Sequence, residues 1–592
     1  MKKIVLFVTA LFLVLTFSGC NPNDGTSGLG NTNDDIFVQG FGGKVDRDFI
    51  GQVVDTNNQP IQNADITIGD ATVQTDVNGV FIIKNAEVRE RFAYITAKKT
   101  GYIDGSRSLV PTTGKNNVKI MLLPNTPVQT IPSDTASEVA LPNGTKVAFD
   151  GAFQDETGNA YTGDVTVAMF HLTPSNANIS QLMPGMLCGQ TLENKQAVMQ
   201  TFGMLNVELR GTSGQKLNLA EGHTAEITMD IDASQLATAP TTIPLWHFDE
   251  TLGYWKEDGE ATKVGNKYVG TVSHFSWWNC DTFSSTVTLT VTVVDAAGQP
   301  IANAGVGLVV NATNFTSYVQ PTSTNGQVAG LVPANQTMTL NIYDICGNVI
   351  STTSIGPFVA NTILPNVVIT NAMAQDTLVQ GNLVKCDNTN VTTGYVMMYY
   401  ANKSMLAAVT NGTFSFSTLV CANNNNTFTL QGFDYENTQT TGDINYTFTS
   451  PVTNIGNLTA CSAVTEFISY QIDNEPTVYY YSSNTGGLGP NNTGLLIMGS
   501  LASNTTTPPI YISGNTNIPG VYTTNDFFIE GGNISYSSSP TGNTIVFTLS
   551  QFGAVGDYID LTFSGTFSEQ IATGPTPITH TITGVAHVIR NN

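Results

Sequence analysis

Positive charge is scarce in this 592-residue chain. Lysine and arginine number 22 against 45 aspartate and glutamate residues, a formal net charge of −23. From residue 269 to the C-terminus the basic residues are Lys385, Lys403 and Arg590. An acidic protein repels phosphate backbones and anionic headgroups, so we predict no nucleic-acid partner and no electrostatic binding to a membrane.

The sequence also lacks the common marks of enzymes. It contains no G-x-S-x-G, H-E-x-x-H or C-x-x-C, and none of the glycine patterns of nucleotide-binding loops. Beyond the N-terminus, no apolar run approaches the ~20 residues that a membrane helix needs. We therefore predict a protein that is not an enzyme, needs no cofactor and has no second membrane segment.

The N-terminus, "MKKIVLFVTALFLVLTFSGC", is a signal peptide, because two lysines precede a short apolar run and a cysteine. Its last four residues resemble a bacterial lipobox, in which the cysteine is acylated. The resemblance implies that Cys20 carries a lipid anchor, the predicted partner being a membrane. Asn21 is not the aspartate that often retains lipoproteins at the inner membrane, so we expect an outer-membrane location, facing the cell surface or the periplasm.

From residue 48 onward, short runs of alternating Val, Ile, Thr and aromatic residues are separated by turn residues, which predicts β-strands and hairpins. Three stretches repeat the order strand, polar turn, strand, Asn-Gly, strand. They are "GQVVDTNNQPIQNADITIG" (51–69), "VTVVDAAGQPIANAGVGLV" (291–309) and, more weakly, "GNLVKCDNTNVTTGYVMMYY" (381–400). Their Asn-Gly pairs begin at Asn78, Asn325 and Asn411.

With "TDVNGVF" and "KKTGY" in the first of them, these repeats resemble carboxypeptidase regulatory-like domains, which are transthyretin-like β-sandwiches. The longer stretch, 48 to about 464, resembles surface lipoproteins of Bacteroidetes-type bacteria. There a regulatory-like domain precedes a segment ending in "IPLWHFDETLGYWKEDG" and "YVGTVSHFSWWNCD". The resemblance implies an architecture and no established activity.

We therefore predict an all-β fold of tandem transthyretin-like or immunoglobulin-like β-sandwiches in an elongated multidomain chain. The predicted division is a signal peptide (1–20), a flexible tether (21–47), a regulatory-like sandwich (48–124), a Trp-bearing β domain (125–282), a second regulatory-like sandwich (283–372), a third sandwich (373–464) and a C-terminal β domain (465–592).

Six cysteines remain after Cys20, an even number in an oxidising compartment, which predicts disulfides. Two of them, Cys188 and Cys280, fall in one domain and could pair. The connectivity of the set stays open, since sequence alone does not determine it. The candidates are Cys188, Cys280, Cys346, Cys386, Cys421 and Cys461.

The four tryptophans are clustered between residues 246 and 278, and two interpretations apply to them. An indole fills a β-sandwich core well, or it can serve as an exposed ligand platform. Alternation along "SHFSWWN" places adjacent Trp277 and Trp278 on opposite faces, one in the core and the other at a surface or domain boundary. The possible ligand surface comprises Trp246, Trp255, Trp277, Trp278, Tyr479 and Tyr481.

Two sequence features bear on metal binding. His247 and Glu250 match the H-x-x-E spacing of zinc carboxypeptidases, but a catalytic zinc needs three protein ligands and the third has no signature here. Acidic turns near Asp55 and Asp76 could hold calcium, although Asx-turns explain them equally well. We predict no metal site.

The combined prediction is a non-enzymatic, lipid-anchored cell-envelope protein that presents β-sandwiches for adhesion or ligand binding, with a glycan or an envelope protein as the possible partner. The alternatives are a carbohydrate-binding accessory lipoprotein that acts with secreted glycosidases, and a zinc metallohydrolase.

Overall fold

In the computed structural model the protein is almost entirely β. Strands make up 61% of the chain, and the sheets follow one another in a tandem, elongated arrangement, which confirms the predicted fold class. Among the described residues no helix has the length and apolarity to cross a bilayer. The structure describes residues 37–592 except 371–374, 402, 422–425, 436, 438, 450, 464–465, 474–477, 481–482, 490–492, 501–508, 532–533, 535–542, 556–557 and 570–577.

The first sandwich pairs a three-stranded sheet, in which the first strand lies between the fourth and the seventh, with a four-stranded sheet. Its first and last strands run parallel. Strand alternation follows the sequence, since in "AYITAK" (93–98) every second residue is buried. The strands are β1 Lys44–Val54, β2 Asp65–Ile68, β3 Ala71–Gln74, β4 Val80–Arg89, β5 Ala93–Lys98, β6 Gly105–Leu109 and β7 Asn116–Met121.

The predicted tether extends too far along the chain. β1 already begins at Lys44, and Phe37 and Phe41 are buried against Tyr254, with ring centroids 4.6 and 6.1 Å from its ring. Burial of these two aromatic side chains stabilises the ordered conformation of this segment. Residues 37–47 therefore belong to the folded part of the chain.

The Trp-bearing domain closes into a β-barrel. Its core consists of side chains from alternate positions on most of its strands, with Trp278 among them. The elements are β8 Gln129–Pro132, β9 Ser137–Ala140, β10 Lys146–Phe149, β11 Phe153–Asp155, β12 Ala160–Tyr161, β13 Asp164–Leu172, α1 Ile179–Leu182, β14 Cys188–Gln190, β15 Gln196–Gly211, β16 Lys216–Leu219, β17 Ala225–Asp230, β18 Thr242–Asp249, β19 Tyr254–Val264, β20 Lys267–Val272 and β21 Trp277–Val294.

β21 joins the barrel to the second sandwich without a linker. Its first half pairs with β15 and β18 of the barrel, and its second half lies between one antiparallel strand and two short parallel strands of the next sandwich. The predicted boundary at residue 282 thus falls inside one continuous 18-residue strand. The remaining strands of the second sandwich are β22 Gly305–Val310, β23 Phe315–Thr316, β24 Gln320–Pro321, β25 Gln327–Pro333, β26 Met338–Tyr343, β27 Val349–Ile355, β28 Thr362–Ile363 and β29 Val367–Val368.

The third sandwich repeats the topology of the first two. In all three a long opening strand lies between an antiparallel neighbour and a parallel strand from near the end of the domain. The Thr75 hydroxyl accepts from the Ala64 amide and donates to the Ile61 carbonyl, and Thr322 makes the equivalent two bonds in the second sandwich. The strands are β30 Gln375–Lys385, β31 Gly394–Tyr400, β32 Lys403–Ala408, β33 Thr413–Val420, β34 Thr427–Asp434, β35 Gln439–Thr440, β36 Ile444–Thr447, β37 Val452–Ala460 and β38 Ser462–Ala463.

The C-terminal domain is a sandwich of a six-stranded and a four-stranded sheet. Isoleucine and phenylalanine dominate its core. Its strands are β39 Phe467–Ile472, β40 Val478–Tyr480, β41 Ser483–Gly487, β42 Leu495–Ser500, β43 Ile510–Gly514, β44 Gly520–Tyr522, β45 Phe527–Gly531, β46 Val546–Phe552, β47 Tyr558–Glu569 and β48 Ile578–Ile589.

The first sandwich contacts the barrel, the second sandwich and the third sandwich. A shared apolar cluster joins it to the barrel, and a second cluster joins it to the third sandwich. Three side-chain hydrogen bonds of 2.8 Å link Ser108 to Gly253, Thr112 to Ser323 and Lys115 to Thr410.

Candidate functional site

The tryptophans do not form a ligand surface. Trp246 and Trp255 are fully buried, and Trp277 and Trp278 are 3% and 1% exposed. The prediction of opposite faces for the adjacent pair is confirmed, since Trp278 lies in the barrel core while Trp277 belongs to the cluster shared with the first sandwich. The ligand-surface interpretation is wrong for all four, because the domain that packs against the barrel covers the outward-facing indoles.

For Tyr479 and Tyr481, the ligand surface stays a prediction. The backbone of Tyr479 lies in β40, but its side chain falls outside the described residues. Tyr481 lies outside them altogether. Cys20 also precedes the first described residue, so its lipidation stays a prediction.

His247 and Glu250 do not converge on a common point for a metal. The His247 ring packs against the His274 ring, with centroids 4.6 Å apart, and burial lowers the pKa of His247 to about 4. Glu250 Oε2 instead lies 3.3 Å from Lys216 Nζ. In the described part of the chain, the one cluster of three possible metal ligands contains two disulfide-bonded cysteines.

The acidic turns considered for calcium hold backbone amides. Asp55 Oδ1 accepts the amides of Asn57 and Gln59, both at 2.8 Å. Asp76 Oδ1 makes the equivalent bonds to the second and fourth residues after it, at 2.9 and 2.8 Å. These are Asx-turns, and they fix the geometry of the repeat loops.

The disulfide bonds differ from the Cys188–Cys280 pairing considered from the sequence. Cys346 is bonded to Cys421, and Cys386 to Cys461. Cys188 and Cys280 are free and buried, so the proposed bond between them is wrong. Cys280 belongs to the barrel core, whereas Cys188 packs outside it beside Phe37. The Cys346–Cys421 bond ties the second sandwich to the third.

A large cavity lies where the barrel and the first three sandwiches meet. Its volume is about 1910 Å³. Apolar side chains form much of its wall, including Met183 of the barrel, Leu109 of the first sandwich, Leu308 of the second and Met397 of the third. No sequence motif marks this site, because its walls come from four domains.

Sheet edges rather than sheet faces form much of the cavity wall. Side chains of a strand alternate between its two faces, so a strand that contributes consecutive residues to a cavity presents its edge to it. Each of four strands, β6, β7, β25 and β32, has a single strand partner among the described residues. Together with the residue after β6, these four strands contribute residues 107–110, 116–119, 328–333 and 403–406 to the cavity wall.

The charge of the cavity is opposite in sign to that of the whole chain. Arg107, Lys119 and Lys403 line it, and Asp344 is the one carboxylate on its wall. Asp344 accepts hydrogen bonds of 2.9 Å from the backbone and side-chain nitrogens of Asn348. The cavity is therefore a locally cationic region of an acidic protein, and such a concave region attracts anions.

Arg107 is the most confined of these cations. Its guanidinium donates to the Met183 carbonyl at 3.1 Å, and within the described residues no carboxylate oxygen lies within 4.0 Å of it. Burial lowers the pKa of Arg107 to about 10. A guanidinium has five N–H donors, so it retains donors for a second partner in the cavity.

A smaller cavity of about 620 Å³ shares residues Ile50, Asn117 and Leu406 with the large one. Its one charged lining residue is Lys115, whose pKa burial lowers. Lys115 Nζ donates to the Thr410 hydroxyl and the Ala408 carbonyl, at 2.8 and 3.1 Å. The cationic region thus extends between the first and third sandwiches.

Comparison with known proteins does not assign the chain to a family. No family model matches it. Cartilage intermediate layer protein 2 of Mus musculus is 24% identical over 228 residues, which cover 36% of this chain and 19% of the mouse protein. The chain thus matches about a fifth of the length of that relative.

Similarity to solved structures is distant. The shaft pilin spaA from Lactobacillus rhamnosus GG is 8% identical and has a TM-score of 0.16, covering 30% of this chain and 98% of its own. BcpA, the major pilin subunit of Bacillus cereus, is 8% identical, with a TM-score of 0.12 and coverage of 71% and 100%. Scores this low carry no argument about this chain.

Proposed function

We propose that the protein is a non-enzymatic, lipid-anchored component of the bacterial envelope that binds a ligand at the cavity between its sandwiches and so contributes to adhesion. The observation that carries the proposal is the cavity, which is formed by four domains and has a cationic, partly apolar wall.

The connections between the domains favour a rigid binding scaffold. β21 runs from the barrel into the second sandwich as one strand, and a disulfide joins the second sandwich to the third. The first sandwich is hydrogen-bonded to all three of these domains. A cavity held this way keeps its shape before the ligand arrives, which lowers the entropic cost of binding.

The location rests on the N-terminal sequence. A lipid on Cys20 would hold the chain at the membrane, since several acyl chains on one residue make a durable anchor. The net charge of −23 disfavours contact with anionic headgroups, so the folded domains would stay in the aqueous phase.

Protease shaving of intact cells tests the proposal. We expect peptides from residues 37–592 in the supernatant of shaved cells, and the release should fall when Cys20→Ser removes the acylation site. Attachment of the deletion strain to surfaces should also decrease, and the wild-type chain should restore it. Peptides recovered only after the outer membrane is opened, with attachment unchanged, would refute the adhesive role.

A further inference from the structure

We infer that the interdomain cavity binds an extended acidic segment of another polypeptide, with one of its carboxylates paired to Arg107. This inference rests on the proposed role as a binding protein and names the chemical class of its ligand. Three features of the cavity carry it: the strand edges in its wall, its size and the sign of its charge.

The strand edges favour a polypeptide. A strand at the edge of a sheet leaves N–H and C=O groups unpaired on its outer side. An extended peptide satisfies such groups by adding as a further strand, and its alternate side chains then enter flanking pockets. β6 and β7 of the first sandwich both present consecutive residues to the cavity, and so do β25 and β32 across from them.

The size of the cavity favours a segment over a small molecule. Sites for small ligands have volumes of about 300–1,000 Å³. At about 1910 Å³, this cavity exceeds that range, before the adjoining cavity of about 620 Å³ is added. A ligand that fills such a space contacts several domains at once, since residues of four domains line it.

The charge selects an acidic segment. Arg107, Lys119 and Lys403 are the cations in the wall, and the one wall carboxylate, that of Asp344, is hydrogen-bonded to Asn348. Arginine pairs with carboxylates in a bidentate geometry that lysine cannot reproduce. A carboxylate at Arg107 would supply the anionic partner that the described residues do not provide for its guanidinium.

Fluorescence anisotropy with the full chain tests the inference. The probe is a fluorescein-labelled, N-acetylated octapeptide of alternating glutamate and valine, and the same peptide with lysine for glutamate is its control. Arg107→Gln is compared with Lys195→Gln, which removes one charge from a residue on the exposed surface. Sodium palmitate serves as competitor, because its carboxylate and apolar chain would fit a small-molecule site instead.

We expect saturable binding of the acidic peptide, weakening at least about tenfold in Arg107→Gln and unchanged in Lys195→Gln, as expected for a charged hydrogen bond removed from a confined site. The lysine peptide should not bind. Equal affinity of both variants, absence of saturable binding, or full displacement by palmitate would each overturn the inference.

Two further variants keep the test decisive if Arg107→Gln does not fold. Arg107→Lys retains the charge and should bind with intermediate affinity. Tyr399→Ala removes a 40% exposed ring from the wall and should weaken binding without unfolding the chain. Unchanged binding by both folded variants contradicts the inference. These measurements use purified protein, so their outcome is independent of the shaving result that tests surface location.

Discussion

The Tyr395 hydroxyl donates a 2.6 Å hydrogen bond to Oδ2 of Asp76, a residue 319 positions away in the chain. The side-chain amide of Asn78 donates to the same hydroxyl at 3.0 Å. The Asn-Gly turn of the first sandwich is thereby joined to β31 of the third. Beside it, the Tyr435 hydroxyl donates to the Gln74 carbonyl at 2.9 Å.

Asp76 should make the stability of the protein depend on pH. Burial raises its pKa from 3.8 to about 6, so the folded state binds this proton more tightly than the unfolded chain does. The stabilising contribution is complete below about pH 4 and is lost as the pH rises through 6. Because one pKa unit corresponds to about 1.4 kcal/mol, and Asp76 keeps some contact with solvent, we expect a loss of about 2 kcal/mol.

Asp76→Asn should remove this component, since an amide oxygen can still accept from the Asn78 and Val80 backbones. Urea unfolding at pH 4, 5, 6 and 7 measures the effect, with Asp55→Asn as the control because it changes an Asx-turn that bonds no tyrosine. The same pH dependence in wild type and Asp76→Asn would contradict the assignment.

Tyr395→Phe should destabilise the contact between the first and third sandwiches. The substitution removes the hydroxyl that Oδ2 of Asp76 and the side-chain amide of Asn78 both bind, at an expected cost of about 1–3 kcal/mol in the free energy of unfolding. Tyr399→Phe removes the hydroxyl of the next tyrosine on the same strand, where the ring is 40% exposed, and should change stability little. Calorimetry of both variants compares them directly, and equal shifts would argue against a specific role for the Tyr395 hydroxyl.

Peptide mapping without reduction should recover two linked pairs, Cys346 with Cys421 and Cys386 with Cys461. Cys188 should resist alkylation until the chain unfolds, because burial raises the pKa of its thiol to about 12. Replacing both Cys346 and Cys421 by serine should lower the free energy of unfolding by about 2–4 kcal/mol. A peptide linking Cys188 to another cysteine would contradict the structure.

Trp278→Ala should destabilise the barrel, because this indole is part of the core and not of a ligand surface. The indole is 1% exposed in the core and donates 2.9 Å to the His274 carbonyl, so its removal should cost about 3–5 kcal/mol. Leu192→Ala is the matched control in the same domain, since that side chain is 71% exposed. Loss of glycan binding in a Trp278→Ala variant of unchanged melting temperature would restore the ligand-surface interpretation.

Local pattern was sufficient to predict the sandwiches. Alternation with period two, the Asn-Gly pairs and the acidic turns each act within a hairpin, so short segments specify strand and turn with little help from the rest of the chain. This is why the three repeats share one topology, and why opposite faces could be predicted for Trp277 and Trp278.

The tertiary structure determines which of those faces are exposed to solvent. Thr112 and Ser323 are 211 positions apart, and contacts of that kind determine how one sandwich covers another. They bury Trp277, pair Cys346 with Cys421 and form the cavity around Arg107. The physical reason is that domain packing depends on the complementarity of whole surfaces, and no single stretch of sequence contains both halves of such a contact.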